Sequence, residues 1–150
     1  MLNKIIATVI YKSGSNKGTV AIPPDMVGYV IGKKGRRIGV LQRYSGTNIR
    51  INKQNQAIIE GSPAAVALAS TFLHVLLGRV RVGDILTGRV KKKNDFCAFI
   101  DLGNENYGSL HVAHMPKGML EKLNIGETLS VRVKEIDSRY ILEPAEKYQD

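Results

Sequence analysis

The sequence predicts an α+β domain followed by an all-β domain built as a small five-stranded barrel. Up to about Gly78, β-rich runs alternate with segments of helical periodicity; from Gly83 on, short β-rich runs recur between turn residues with one short helical piece. Charge divides at the same place. Residues 1–82 hold 12 Lys and Arg against Asp25 and Glu60, a balance of +10, whereas residues 83–150 hold 10 against 11 acids, a balance of −1. With 150 residues and 43% hydrophobic content, the chain stands between one domain and two and can build real cores.

The first β-rich run, Lys4 to Tyr11, and the second, Thr19 to Ile22, are separated by Ser13-Gly14-Ser15-Asn16-Lys17-Gly18, which reads as a loop. Pro23-Pro24-Asp25 breaks the ladder and opens a short helix over Pro24 to Val30, because the N–H that proline lacks is unpaired in a first helical turn anyway. After a glycine loop, Arg36 to Tyr44 puts Ile38 and Leu41 on one helical face and stops at Gly46. Asn48 to Asn52 alternates as a strand, Lys53 to Gln56 is a polar turn, and Ala57 to Glu60 is another strand. Ser62 caps a third helix, Pro63 to Leu77, with Val66, Ala69, Leu73 and Leu76 in register and Gly78 beyond its end.

The second half predicts strands over Asp84 to Lys91, Phe96 to Leu102, Tyr107 to Val112, Thr128 to Ile136 and Tyr140 to Leu142, with a helical piece at Lys117 to Leu123. The boundary at Gly78 to Gly83 is too short for a free linker.

A folded, strongly basic half makes a polyanion the first partner to consider, with a solubilising surface as the plain alternative. The single cysteine, Cys97, excludes an intrachain disulfide and any cysteine-rich metal site, and fits a reducing compartment. The apolar start, Leu2 to Tyr11, is short and has no small-residue cleavage site before Lys12, and no apolar run approaches a membrane span. A cytoplasmic protein with no membrane association is expected. His111 and His114 lack the further ligands a metal site needs, so no metal and no cofactor are expected. No carboxylate cluster or nucleophile constellation of the nuclease kind is present, so no catalytic residue and no enzymatic activity are expected.

The chemistry concentrates in Val30-Ile31-Gly32-Lys33-Lys34-Gly35-Arg36-Arg37-Ile38, a Gly-x-x-Gly step with four cations and apolar flanks. Two glycines let the backbone bend and approach a ligand with no Cβ in the way, and the cations place charge where that backbone is bare. By itself a Gly-x-x-Gly pair is weak, since 15 glycines produce one by chance. The flanking helices, the basic filling and the following Asn48-Ile49-Arg50-Ile51 make it specific.

From about Thr19 to Leu77 these residues resemble a type I KH domain, three helices on a three-stranded antiparallel sheet, here with an extra N-terminal strand. From Gly83 to about Leu142 the chain resembles an S1 domain, an OB-fold barrel, on Gly83-Asp84, Gly88-Arg89-Val90, Asp95-Phe96-Cys97-Ala98-Phe99-Ile100, Gly108-Ser109-Leu110-His111-Val112 and Ile136-Asp137. KH followed directly by S1 resembles the C-terminal RNA-binding tail of polynucleotide phosphorylases, without their catalytic core. The divisions are residues 1–18 for the extra strand and loop, 19–78 for KH, 83–143 for S1 and 144–150 for a tail.

The KH resemblance implies a loop that clamps the backbone of about four unpaired nucleotides, with bases in a groove beside it. Its candidate residues are Ile31, Gly32, Lys33, Lys34, Gly35, Arg36, Arg37, Ile38 and Arg50; Ile31 and Ile38 serve equally well as core. The S1 resemblance implies base stacking on an aromatic and basic face through Phe96, Phe99, His111, Asp137 and Arg139. Lys91-Lys92-Lys93 at the first barrel turn, Lys91 foremost, is a candidate phosphate contact, with a solvated loop as the alternative. Strict alternation places Phe96 and Phe99 on opposite faces unless a bulge intervenes, and the alternative is a barrel that packs Phe99 inside. Cys97 stands where the S1 family often has glycine, Ala113 replaces its usual serine, and Asp137-Ser138-Arg139 is a tighter turn than its common form.

The function expected is a non-catalytic protein that binds single-stranded RNA, with single-stranded DNA also open. The alternatives are a protein-interaction scaffold and an accessory subunit that brings RNA to a separate processing enzyme.

Overall fold

The computed structural model describes residues 8–12 and 15–145, with side-chain surroundings from Asn16 onward. The described chain forms two compact units, residues 8–79 and 80–145.

The first unit runs β1 (Thr8–Lys12), β2 (Ser15–Ala21), a 3-10 turn at Pro24–Met26, α1 (Val27–Ile31), α2 (Arg36–Ser45), β3 (Asn48–Ile51), β4 (Gln56–Glu60) and α3 (Pro63–Leu76). Its sheet has the order β1-β2-β4-β3, and every neighbouring pair is antiparallel. The extra strand pairs with β2, Thr8 opposite Thr19 and Lys12 opposite Ser15; the part expected at Lys4 to Ala7 lies outside the described residues.

The expected loop from Ser13 to Gly18 is corrected by the same pairing. From Ser15 these turn-type residues are strand, because Gly18 lies between Val9 of β1 and Ile59 of β4, and pairing on both sides overrides local preference. The sheet shared with β4 therefore begins at Lys17 rather than at Thr19.

Each helix ends where its residues dictate. Ser62 Oγ accepts from the N–H of Ala65 at 3.2 Å, and Val66, Ala69 and Leu73 of α3 are wholly buried. They meet Val20, Val30, Leu41, Ile49, Ile59 and Phe72 in one core, each large side chain contributing about 1.5–3 kcal/mol. Gly46 takes a φ of +73° and ends α2, and Gln42 Oε1 then accepts from the N–H of Ile49 at 2.8 Å, which fixes where β3 starts against α2.

The second unit is a closed barrel, ordered β5-β6-β7-β9-β8, of β5 (Ile85–Lys93), β6 (Cys97–Gly103), β7 (Asn106–His111), β8 (Thr128–Ile136) and β9 (Tyr140–Pro144). A short helix, α4 (Met119–Lys122), replaces the longer piece expected there. Leu86, Val90, Ile100, Leu110, Val131, Val133 and Leu142 fill the interior. A Cβ on Gly88 would come within 2.5 Å of Ile100, and one on Gly108 within 2.4 Å of Leu142, so both glycines let neighbouring strands close on the core. The barrel extends past residue 143: β9 includes Pro144, and Ala145 is buried with its carbonyl accepting from Arg132 Nη2 at 2.7 Å.

Candidate nucleic-acid interface

In the first unit, α1 ends on Gly32, whose N–H donates to the Gly28 carbonyl at 2.9 Å and whose φ and ψ are 79° and 170°. That combination is open to glycine almost alone. Lys34 at a φ of 55° and Gly35 at 75° then turn the chain left-handed before α2 begins. The Gly35 N–H donates to the Gly32 carbonyl at 3.1 Å and the Arg36 N–H to the Lys33 carbonyl, so the turn is closed by its own hydrogen bonds. The ten-residue α2 starts from this loop with no acidic residue in its first turn, so the positive end of its dipole faces the same place.

Lys33, Lys34 and Arg36 project into solvent and make no ion pair among the described residues. Arg37 is placed differently: it is half-buried, its Nη1 donates to the Tyr29 carbonyl at 2.5 Å, and its guanidinium lies 4.4 Å from the Tyr29 ring centroid. It ties α2 to α1 across the loop. Ile38 packs against the core, Ile31 is half-buried beside the loop, and Arg50 is exposed on β3.

In the barrel, β6 alternates regularly. Ala98, Ile100 and Leu102 are buried, so Phe99 faces outward and the inward alternative is corrected. A bulge does occur, on the partner strand β5 and directly across from Phe99: Val90 pairs with Ile100 and Lys92 with Phe99, leaving Lys91 as the extra residue. Both Lys91 and Lys92 are thereby exposed, and Lys92 Nζ lies 5.2 Å from the Phe99 ring centroid. Lys93 turns away and donates to the carbonyls of Leu120, Glu121 and Leu123 at 3.0, 3.2 and 2.6 Å, closing the end of α4.

Phe99 lies in an open groove of about 810 Å³ that also takes Lys91, Lys92, Tyr107, Arg139 and Tyr140. Burial pushes the Tyr140 phenol up from its ordinary value. Three aromatic rings among three cations and one carboxylate, Glu105, leave the groove net positive and suit stacked bases and their phosphates.

The expected barrel residues do not all come together. Lys91, Phe99 and Arg139 share the groove, whereas Phe96, His111 and Asp137 do not line it. Phe96 precedes β6 in a turn where Asn94 Oδ1 accepts from the N–H groups of Phe96 and Cys97 at 2.8 and 2.9 Å, so strand alternation does not govern it. It is 64% exposed. His111 pairs opposite Cys97, and its Nδ1 accepts from the N–H of Ala113 at 3.0 Å. Asp137 is exposed in the β8–β9 turn. Among the described residues no group of three or more His, Cys, Asp and Glu could hold a metal.

Sequence reasoning reached the lysine run but missed Tyr107 and Tyr140 as groove residues. The parallel pairing of β7 with β9 sets Gly108 opposite Tyr140 and gathers the two tyrosines, and no local pattern announces a parallel register. The adjacency of Tyr140 to Arg139 was the one available signal.

A KH domain family model matches residues 17–74, and an S1 RNA binding domain model matches residues 79–140. The chain is 32% identical over 127 residues to polyribonucleotide nucleotidyltransferase of Rubrobacter xylanophilus, covering 80% of this chain and 18% of that protein. Against the protein of the same name from Amoebophilus asiaticus it is 30% identical over 149 residues, 92% of this chain and 21% of that one. The chain thus spans about one fifth of the length of these curated relatives, over a segment that corresponds to a KH-S1 tail without a catalytic core. Among solved structures, GSP13 from Bacillus subtilis is similar over 44% of this chain and 56% of its own, with 26% identity and a TM-score of 0.40.

Proposed function

We propose that this chain, with its KH and S1 RNA-binding domains in tandem, binds single-stranded RNA through two unlike contacts: a phosphate clamp at Gly32-Lys33-Lys34-Gly35 and a base-stacking groove around Phe99. The observation that carries it is the loop itself, where glycine-only backbone, a helix start and three solvent-facing cations converge. Phosphates fit the loop by charge and by the closeness that Gly32 and Gly35 allow. Bases fit the barrel groove because each has a π-face and the groove supplies rings and cations. Both contacts read phosphate charge and base faces, so single-stranded DNA is expected to compete.

The reading includes no catalytic step by these residues, and a cytoplasmic setting, which the lone Cys97 fits. Delivery of the bound strand to a separate RNA-processing enzyme belongs to it as well, supported by the nucleotidyltransferase relatives; co-purification with a nuclease or phosphorylase is its check.

The test is the double substitution Lys33→Asp/Lys34→Asp, assayed by fluorescence anisotropy on single-stranded homopolymers over a salt series. Wild-type log affinity falls linearly with log salt, by about 0.7 per neutralised phosphate on single strands, and the variant loses about 1.4 from that slope. An unchanged slope and affinity, or a wild-type preference for duplex, sinks the reading.

A further inference from the structure

We propose that Tyr29, held under the Arg37 guanidinium, is a stacking platform for the nucleobase next to the phosphates gripped by the glycine loop, a role that rests on the RNA-binding reading of that loop. Its position comes first. At 100° per residue Gly32 falls between Gly28 and Tyr29 around α1, so the ring borders the loop.

The state of the ring comes second. Tyr29 is 46% exposed and takes no part in the buried core, so packing does not account for an aromatic residue here. It is nonetheless held in place: the guanidinium lies 4.4 Å from the ring centroid, and Nη1 of the same arginine holds the Tyr29 carbonyl at 2.5 Å. A ring pinned on one side and open to solvent over nearly half its surface binds a base without first losing rotamer freedom.

Access comes third. Gly28 is exposed and a Cβ built on it meets nothing within 4 Å, and one on Gly35 likewise, so open space lies beside α1 and on the far side of the loop. A strand whose phosphates enter the loop has room to bring its neighbouring base over α1. The partner chemistry is a planar heteroaromatic ring attached to a phosphodiester, and the cation stacked on Tyr29 lies within reach of that linkage.

The alternative is that Tyr29 serves only to position Arg37. The experiment uses the full chain as wild type, Tyr29→Phe, Tyr29→Leu and Lys33→Asp/Lys34→Asp, with eight-nucleotide RNAs carrying 2-aminopurine at successive positions and a four-nucleotide RNA for comparison. The platform requires fluorescence quenching at one position that persists in Tyr29→Phe and disappears in Tyr29→Leu. The same substitution weakens the eight-nucleotide RNA by about tenfold, while the four-nucleotide RNA changes less than about twofold. Equal weakening of both RNAs, or quenching that ignores Tyr29→Leu at every position, overturns the platform. Unchanged affinity of Lys33→Asp/Lys34→Asp for the four-nucleotide RNA sinks the clamp instead, and quenching that depends on Tyr29 decides the platform in either case.

Discussion

A Cβ on Gly32 would lie 2.8 Å from both the Cβ and the backbone nitrogen of Arg37, whereas one on Gly35 meets nothing within 4 Å. The two glycines of the loop are therefore not equivalent. Gly35, at a φ of 75° and ψ of 15°, occupies the left-handed region that asparagine tolerates, while Gly32 at 79° and 170° does not. Gly35→Asn is expected to keep RNA affinity within about threefold, and Gly32→Ala to lose at least about tenfold by displacing the loop from Arg37. Parallel titrations of the two variants, with melting curves as a folding control, check the asymmetry; equal losses refute it. At this scale the loop was legible in the sequence, because the spacing of two glycines and the cations between them are local facts. The role of Arg37 was not, since its side chain turns back to Tyr29, eight residues away.

At the scale of elements, Lys91, Lys92 and Lys93 form one charged run in sequence and divide in the fold. The bulge in β5 sends the first two to the groove, and the third reaches the carbonyl end of α4. Lys93→Met is expected to lower stability by about 1 kcal/mol through loss of charge-assisted bonds to carbonyls, with little effect on RNA affinity. Lys91→Ala/Lys92→Ala should do the reverse, weakening RNA binding and leaving the melting temperature in place. Thermal melts and anisotropy on the same variants separate the two roles; a stability loss in the double variant equal to that of Lys93→Met contradicts the division. The strands themselves were readable from alternation. The bulge was not, because an extra residue shows only when the partner strand is known.

For the whole molecule, residues 77–84 join the last helix of the first unit to the first strand of the barrel, so the two proposed contacts are joined by a short stretch of chain. Binding of a long strand to both is then governed by effective concentration, in the millimolar range for short connections. Phe99→Ala/Tyr140→Ala is expected to weaken a strand of about thirty nucleotides more than one of six, and equal weakening of both would mean that the contacts do not act on one strand. Periodicity, composition and backbone freedom over a few residues are enough to mark the change of texture between the two halves, the charge asymmetry, the helix stops at Gly46 and Gly78 and the glycine loop. That β2 begins at Ser15, that Arg37 stacks on Tyr29, and that Tyr107 and Tyr140 join Phe99 in one groove emerge from the folded chain alone. Each of these depends on pairing between segments far apart in the chain, where the register of one strand against another sets which side chains meet.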